Sequence, residues 1–216
     1  MEKVKVIIMG LGAMGGGMAD MLLKKQGVEI VGVVGRGKML GTSMYDHIST
    51  PRGDREDVVV GAMEDVITEK AADVVLLCTD SFTRKAFDKI KFIVEKKINV
   101  ISSAEEMAYP MAQEPELAKE IDRLAKENGV SVLGTGINPG LIMDLLVILM
   151  TGCCEEVHSI LSRRVNSLSP FGPAVMEEQG IGITVEEFNK GVQEGTLAGH
   201  VGFHESIGMI ADAIGW

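Results

Sequence analysis

Three glycines near the N-terminus, Gly10, Gly12 and Gly15, have the spacing of a loop that binds a pyrophosphate group. In such a loop the first glycine permits a tight turn, the second lets the anion touch the backbone, and the third allows close packing of the helix that follows. The first N–H groups of that helix, at the positive end of its dipole, then face the anion. The spacing predicts a dinucleotide site.

The segments around these glycines have the character that this chemistry requires. Residues 4–9 form an apolar run typical of a buried parallel strand, and a second apolar run follows at 28–34. Between them, Met14, Met18 and Met21 recur at helical spacing, which predicts a helix with these methionines on its core face. Strand, glycine turn, helix and strand together predict a βαβ dinucleotide-binding unit.

The end of the second apolar run indicates which dinucleotide is bound. Sites for NAD usually carry Asp or Glu about 20 residues past the glycines, where it binds the ribose 2′-hydroxyl. This chain has no acid between Glu29 and Asp46, and it carries Arg36 and Lys38 instead. Because a guanidinium matches a 2′-phosphate and a carboxylate repels it, we predict NADP rather than NAD. Two solvated loop cations are the alternative interpretation.

The next part of the chain alternates between strand and helix patterns after a polar, turn-rich loop at residues 35–57. The predicted elements are strand 58–60, a helix from about residue 63, strand 73–78, a helix capped by Ser81 and ending at Lys97, strand 99–102, helix 115–128 and strand 130–133. This alternation predicts an α/β fold of the Rossmann type, with a doubly wound parallel sheet and right-handed crossovers.

In such a sheet, ligands bind beyond the carboxyl ends of the strands. The loops at Gly10, Gly35, Thr79, Ser103 and Gly134 should therefore converge on the ligand. We predict cofactor contacts from Gly10, Gly12, Ala13, Met14, Gly15, Arg36, Lys38, Cys78 and Thr79.

The pattern changes after about residue 138. A helix is predicted at 141–150, mixed alternation follows at 157–165, and Thr184 with Glu187 forms a capping box that opens a short helix. We therefore divide the chain into an NAD(P)-binding domain at residues 1–138 and an α+β substrate and dimerisation domain at 139–216. We expect the second domain to be incomplete at its C-terminal end.

Composition excludes several classes of function. The net charge of −10 disfavours binding to nucleic acid or to an anionic membrane. The longest apolar stretch, at 141–150, is too short to span a bilayer. Three cysteines and four histidines without ligand spacing suggest a reduced, cytoplasmic protein with no metal site.

Four blocks of sequence resemble one known family. They are Ala-Glu-Glu-Met-Ala-Tyr-Pro at 104–110, Gly-Thr-Gly-Ile-Asn-Pro-Gly at 134–140, Arg-Val-Asn with Ser-Pro-Phe-Gly-Pro within 164–173, and Gly-His-Val-Gly-Phe at 199–203. In this order they resemble the 2,4-diaminopentanoate dehydrogenases, amine dehydrogenases of ornithine fermentation with a fold related to dihydrodipicolinate reductase. This chain departs from the family in three respects. Family members often carry an acid near the position of Arg36, they have Pro where His204 stands, and they extend past residue 216.

The resemblance implies an activity and a set of site residues. Such enzymes use NAD or NADP to oxidise an amine carbon, releasing ammonia and a ketone, or run in reverse as reductive aminases, and they tend to be homodimers. Glu105, directly after strand 99–102, is by resemblance the catalytic base, with Glu106 as the alternative if the loop turns by one residue. An exposed acidic helix start is the structural alternative for this pair.

The expected substrate is a small amine or amino acid. Asn138 could hold the nicotinamide carboxamide or the reacting amine, or stabilise a turn before Pro139. Arg164 and Asn166 share one face of an extended segment, where the arginine could take a substrate carboxylate. His200 could donate to the same carboxylate, and we predict these four as substrate-binding residues.

Other functions compete with this interpretation. Dihydrodipicolinate reductase chemistry would call for a His-His pair, which the sequence lacks, and homoserine dehydrogenase would place Asn-Lys at residues 105–106. A dinucleotide-binding sensor without catalytic activity is the alternative outside the enzyme class.

Overall fold

A single parallel sheet organises the first two thirds of the chain. The computed structural model describes residues 3–165, 167, 176, 179–194, 197 and 200–216. Six strands are present in this part: β1 (Val4–Met9), β2 (Val28–Val34), β3 (Val60–Gly61), β4 (Val74–Leu77), β5 (Asn99–Ser102) and β6 (Val132–Gly134). Their order is β3-β2-β1-β4-β5-β6 and every pairing is parallel, which confirms the predicted Rossmann sheet.

The helices cover both faces of this sheet. They are α1 (Ala13–Leu22), α2 (Met63–Val66), α3 (Thr83–Glu95), α4 (Pro115–Asn128), α5 (Leu145–Thr151), α6 (Val185–Glu194) and α7 (Phe203–Ile214). Successive β1 residues point to opposite faces, so Ile7 packs with Val75 and Ile90 whereas Ile8 packs with Ala19 and Val33. The two resulting cores hold the strand ends, and hence the loops that follow them, in fixed positions.

The face of α1 that is buried differs from the sequence prediction. Met14 and Met21 are 60% and 54% exposed, so the methionine stripe is not the core face. Gly15, Gly16 and Ala19 are buried instead. A helix that must begin at a glycine turn lies too close to β1 for long side chains, and small residues fill that contact.

The start of α3 also differs from its prediction. Its N-cap is Phe82, which caps no backbone group through its side chain, so the prediction for Ser81 was wrong. The Thr83 N–H at this helix start donates to the Glu106 carboxylate instead, at 2.7 Å. The prediction for α4 is confirmed: Pro115 lies in its first turn and Gly129, with φ +67°, ends it.

The C-terminal part of the described chain is helical. After β6 every regular element described is a helix, so the strands expected of an α+β domain do not occur among these residues. The capping box of α6 is confirmed, because the Glu187 N–H donates to the Thr184 hydroxyl at 3.2 Å and the Glu187 carboxylate accepts from the Thr184 N–H at 2.8 Å. None of the helices in the described residues has the length and apolarity to cross a membrane.

Candidate active site

The glycine turn between β1 and α1 leaves no room for side chains where the chain folds back. Gly10 has φ +95°, and a Cβ there would lie 2.7 Å from Cγ2 of Thr79. A Cβ on Gly15 would lie only 1.8 Å from the Gly10 carbonyl oxygen. A Cβ on Gly12, in contrast, would meet no atom within 4 Å. The turn is therefore closed on its inner side and open at Gly12, as approach by a pyrophosphate requires.

The start of α1 supplies the backbone groups for an anion. Gly12 is the N-cap of α1 and has no side chain with which to cap the N–H groups of Ala13 and Met14. The Gly12 carbonyl accepts the first helical hydrogen bond, from the Gly16 N–H at 2.8 Å. With the open side of the turn, this helix start fits a dinucleotide pyrophosphate.

The loop after β4 lies directly against this turn. The Cys78 N–H donates to the Met9 carbonyl oxygen at 2.9 Å, and Thr79 contacts Gly10 as described above. Burial raises the pKa of the Cys78 thiol, whose Sγ donates to Sδ of Met18 at 3.5 Å. Cys78 is thus a neutral packing residue, and its backbone forms the floor of the predicted cofactor groove.

The loop after β2 carries the two cations predicted to select NADP. Arg36 and Lys38 are both exposed, with a 3-10 turn at Gly37–Met39 between β2 and the rest of the loop. Asp20 on α1 anchors the far end of this loop by accepting the Ser49 and Thr50 N–H groups at 3.1 and 2.6 Å. Hydrogen bonding from the Thr50 side chain, followed by that from the Ser49 backbone, lowers the pKa of Asp20, so the anchor is charged. The sequence analysis missed Asp20.

Glu105 lies at the same edge of the sheet as the glycine turn. It begins a 3-10 turn, Glu105–Ala108, directly after β5, and its side chain is half-buried. The Ser103 N–H donates to the Leu77 carbonyl oxygen at 3.0 Å, which joins the loop after β5 to the loop after β4. Since that second loop contacts Gly10, the three loops form one continuous edge.

Its neighbour Glu106 faces a different direction. Glu106 is only 9% exposed, and its carboxylate accepts the Thr83 N–H at the start of α3. Its own N–H donates to the Ser81 carbonyl oxygen at 3.1 Å. Burial is the main reason that the pKa of Glu106 lies above its ordinary value. The two-sided tie to α3 gives Glu106 a structural role, and Glu105 stays the predicted base.

Two of the predicted substrate-binding residues, Asn138 and His200, lie together although they are far apart in the sequence. Nδ2 of Asn138 lies 3.4 Å from Nε2 of His200. Pro139 packs against Gly202, where a Cβ would lie 2.6 Å from the proline ring. The charge of the exposed Arg164 adds to burial in lowering the pKa of His200. Asn166 lies outside the described residues. Residues 157–165 form no regular element, so the mixed alternation in that stretch does not correspond to a strand.

The protonation state of His200 provides a first test of this cluster. Burial is the largest cause of its lowered pKa, and Arg164 adds to it, whereas the Val201 backbone opposes both. The imidazole is therefore neutral at pH 7, and the fold loses stability as the pH falls below about 6.5, where the unfolded chain binds a proton more readily. In Arg164→Gln the pKa of His200 should rise but stay below its ordinary value.

A titration of the His200 ring proton by NMR measures this shift. Arg163→Gln is the matched control, since it removes the neighbouring exposed charge. If the pKa of His200 changed equally in the two variants, that result would contradict a specific effect of Arg164 on His200.

A buried carboxylate that the sequence analysis did not assign to the site supports this cluster. Asp144 is fully buried and accepts three hydrogen bonds, from the Gly140 N–H at 2.7 Å, the Leu145 N–H at 2.7 Å and the Ser206 hydroxyl at 2.9 Å. It thus connects the loop that carries Asn138 to the helix that follows His200. The sequence does contain a signal for this role: Asp144 is an acid inside the apolar run 141–150, and a buried carboxylate needs hydrogen-bond donors. It also explains why α5 begins at Leu145 and not at residue 141.

The described part of the chain contains no cluster of potential metal ligands. No group of three or more His, Cys, Asp or Glu side chains there could hold a metal ion.

Comparison with known proteins defines the family. Residues 4–135 match the oxidoreductase family with an NAD-binding Rossmann fold, and residues 141–216 match the 2,4-diaminopentanoate dehydrogenase C-terminal domain. An amine dehydrogenase structure from Mycobacterium smegmatis aligns with a TM-score of 0.77 at 24% identity, over 98% of this chain and 62% of that one. A meso-dapdh mutant with DAP from Clostridium tetani E88 aligns with a TM-score of 0.53 at 18% identity, over 70% of this chain and 42% of that one.

These matches fix the class first. The chain belongs to the oxidoreductase family with an NAD-binding Rossmann fold, which supports a nicotinamide dinucleotide as its cofactor. Its C-terminal match places it more narrowly among proteins like 2,4-diaminopentanoate dehydrogenase, as the four sequence blocks indicated. The chain spans 62% of the length of the mycobacterial amine dehydrogenase, with which it shares a fold.

Proposed function

We propose that this protein is an NAD(P)-dependent amine dehydrogenase that acts on a diamino acid such as 2,4-diaminopentanoate. The products would be 2-amino-4-oxopentanoate and ammonia, with reductive amination as the reverse reaction. One observation carries the proposal: Asn138, in the loop that follows β6, lies 3.4 Å from His200, and β6 pairs with β5, the strand that Glu105 follows. Polar groups suited to an amino acid are thus combined with a carboxylate and a dinucleotide groove.

The chemistry requires a base near the substrate nitrogen. A substrate ammonium has no free lone pair, so Glu105 first accepts a proton from it. When bound, the nicotinamide ring supplies the hydride acceptor for deamination and the hydride donor for the reverse reaction. Glu105 passes the ammonium proton to solvent before water adds to the carbon of the substrate iminium and gives a proton to the Glu105 carboxylate. Glu105 then protonates the carbinolamine nitrogen, and ammonia leaves as the hydroxyl proton is lost and the ketone forms.

The remaining site residues orient the substrate in this proposal. The Arg164 guanidinium can donate two hydrogen bonds to a substrate carboxylate, and the neutral His200 imidazole can donate one to the same group. The Asn138 amide, beside His200, would hold the amine or the nicotinamide carboxamide. The net charge of −10 opposes binding to nucleic acid.

We further propose that NADP is preferred over NAD. Support comes from Arg36 and Lys38, both exposed after β2, together with the absence of an acid between Glu29 and Asp46. In Arg36→Ala the dissociation constant for NADP should rise about 10- to 100-fold, since hydrogen bonds to charged groups contribute about 1.5–3 kcal/mol. The constant for NAD should change little.

Isothermal titration with each cofactor measures this difference. Lys24→Ala is the control, because it removes one exposed positive charge near the other end of α1. Equal losses for NAD and NADP in Arg36→Ala would contradict the NADP assignment.

A substrate screen tests the activity. Diamines and amino acids are supplied with each oxidised cofactor, and the corresponding ketones are supplied with ammonia and each reduced cofactor. Turnover restricted to substrates that carry both an amine and a carboxylate supports the proposal. Bound dinucleotide without any turnover would favour the sensor function.

A further inference from the structure

The 3-10 turn that follows Arg36 and contains Lys38 is held most firmly at its last residue, Met39. The bond that closes the turn is long, since the Met39 N–H donates to the Arg36 carbonyl oxygen at 3.3 Å. The Met39 carbonyl oxygen, in contrast, accepts two hydrogen bonds from Thr42, one from its N–H at 3.1 Å and one from its hydroxyl at 2.6 Å. Thr42 therefore fixes the end of the turn.

Thr42 is itself held from two sides. Its carbonyl oxygen accepts the Val60 N–H of β3 at 2.9 Å, and its hydroxyl oxygen lies 2.6 Å from Nε2 of His47. A hydroxyl has one hydrogen, and that of Thr42 goes to the Met39 carbonyl oxygen, which can only accept. Nε2 of His47 must therefore carry the hydrogen in the second contact and donate to Thr42. His47, Thr42 and Met39 form a hydrogen-bonded chain with one direction.

The histidine end of this chain lies against helix α1. A Cβ on Gly16 would lie 3.5 Å from the His47 carbonyl oxygen, and Asp20, one turn farther along α1, holds the backbone of residues 49–50. The segment around His47 thus follows the helix whose start fits the dinucleotide pyrophosphate. The hydrogen-bonded chain consequently connects α1 with the turn that carries the two cations.

The two cations depend on the turn for their position. Arg36 and Lys38 are exposed, and the side chain of neither forms an ion pair or a hydrogen bond with any other residue that the structure describes. Long, unrestrained side chains lose conformational entropy when they bind an anion, and a fixed backbone beneath them reduces that cost. What they contribute to binding is therefore sensitive to how firmly the turn is held.

We propose that Thr42 and His47 are positioning residues for cofactor selection. Their hydrogen bonds hold the turn at a fixed distance from α1, so that Arg36 and Lys38 meet the 2′-phosphate of NADP while the pyrophosphate binds at the glycine turn. This role rests on the proposed preference for NADP. Loss of the chain should weaken the contact with the 2′-phosphate and leave the contacts that NAD shares with NADP.

The Thr42→Val variant tests this role, because valine keeps the shape of threonine and lacks its hydroxyl. By isothermal titration the dissociation constant for NADP should rise about 3- to 10-fold, as expected for one lost hydrogen bond, and that for NAD less than about twofold. Thr42→Ser should restore the wild-type values. Thr68→Val is the matched control, since Thr68 is exposed and its hydroxyl bonds to none of the described residues.

A second background shows whether Thr42 acts through the cations. In a protein that carries both Arg36→Ala and Lys38→Ala, Thr42→Val should cause no further loss of NADP affinity. The same loss in that background would overturn the role of Thr42. An equal loss for both cofactors in Thr42→Val, beside a loss in Arg36→Ala that is selective for NADP, would overturn this role alone. An equal loss in Arg36→Ala would overturn the NADP preference together with it.

The hydrogen-bonded chain can also be examined without a cofactor. Nitrogen-15 NMR of the His47 ring should show a hydrogen on Nε2 at neutral pH, and Thr42→Val should shift that resonance. His47→Leu, which leaves the bond from Thr42 to Met39 in place, should reduce NADP affinity selectively but less than Thr42→Val does. An Nε2 without hydrogen, or an unchanged ratio of NADP to NAD affinity in His47→Leu, would overturn the part played by His47.

Discussion

The Glu105→Gln variant should lose about 10²- to 10⁴-fold in kcat for amine oxidation, the usual contribution of a general base. The amide keeps the shape of the side chain at the start of the turn after β5 but cannot accept the substrate proton. Dinucleotide binding should remain normal, because the glycine turn and the loop after β2 are unchanged. Single-turnover kinetics and a binding titration measure the two quantities on the same preparation.

Two controls accompany this variant. Glu116→Gln removes an exposed carboxylate from the start of α4 and should leave kcat as in the wild type. Glu106→Gln should shift the pH profile and keep most of the activity at neutral pH, since its carboxylate binds the start of α3. If Glu106→Gln were inactive while Glu105→Gln turned over normally, the assignment of the base would have to move by one residue.

The Gly15→Ala substitution should have the largest effect on folding and cofactor binding together. The new Cβ would lie 1.8 Å from the Gly10 carbonyl oxygen and 3.4 Å from Cγ2 of Ile8. Backbone atoms cannot move aside as a side chain can, so the cost should reach or exceed the upper end of the usual overpacking range, about 3 kcal/mol. Separation of α1 from β1 should also abolish detectable dinucleotide binding.

Gly17→Ala is the matched control on the same helix. A Cβ there would meet no atom within 4 Å, and replacement of a helical glycine should stabilise the protein by about 0.5–1 kcal/mol. Chemical denaturation and cofactor titration of both variants give the comparison. A Gly15→Ala protein that is as stable as Gly17→Ala and binds NADP would contradict the close β1–α1 contact.

The fold could be predicted because its signals are local. Apolar runs, the glycine spacing and the alternation of strands with helices lie within short stretches, and parallel topology follows from them. The error on α1 has a physical cause. Hydrophobic periodicity selected the methionines, but the distance between helix and strand is set by Gly15, so small residues occupy the contact.

The site could be predicted only in part, because much of it depends on contacts between distant segments. Glu105 and the glycines follow strand ends, a position that sequence patterns reveal. The contacts of Glu205 with Gln113 and of Asp144 with Ser206 join segments 92 and 62 residues apart. Nothing in the local sequence of α7 marks Glu205 as a buried residue, since an acid at the start of a helix is usually exposed.

The central claim is that this chain removes an amine from its substrate by reducing a nicotinamide dinucleotide. The most direct measurement combines 2,4-diaminopentanoate and oxidised NADP with the wild-type chain, and follows reduced NADP and free ammonia in the same sample. We predict that the two products rise together in equal amounts and that neither rises with Glu105→Gln. Saturating NADP bound to the wild type without formation of either product would contradict the claim.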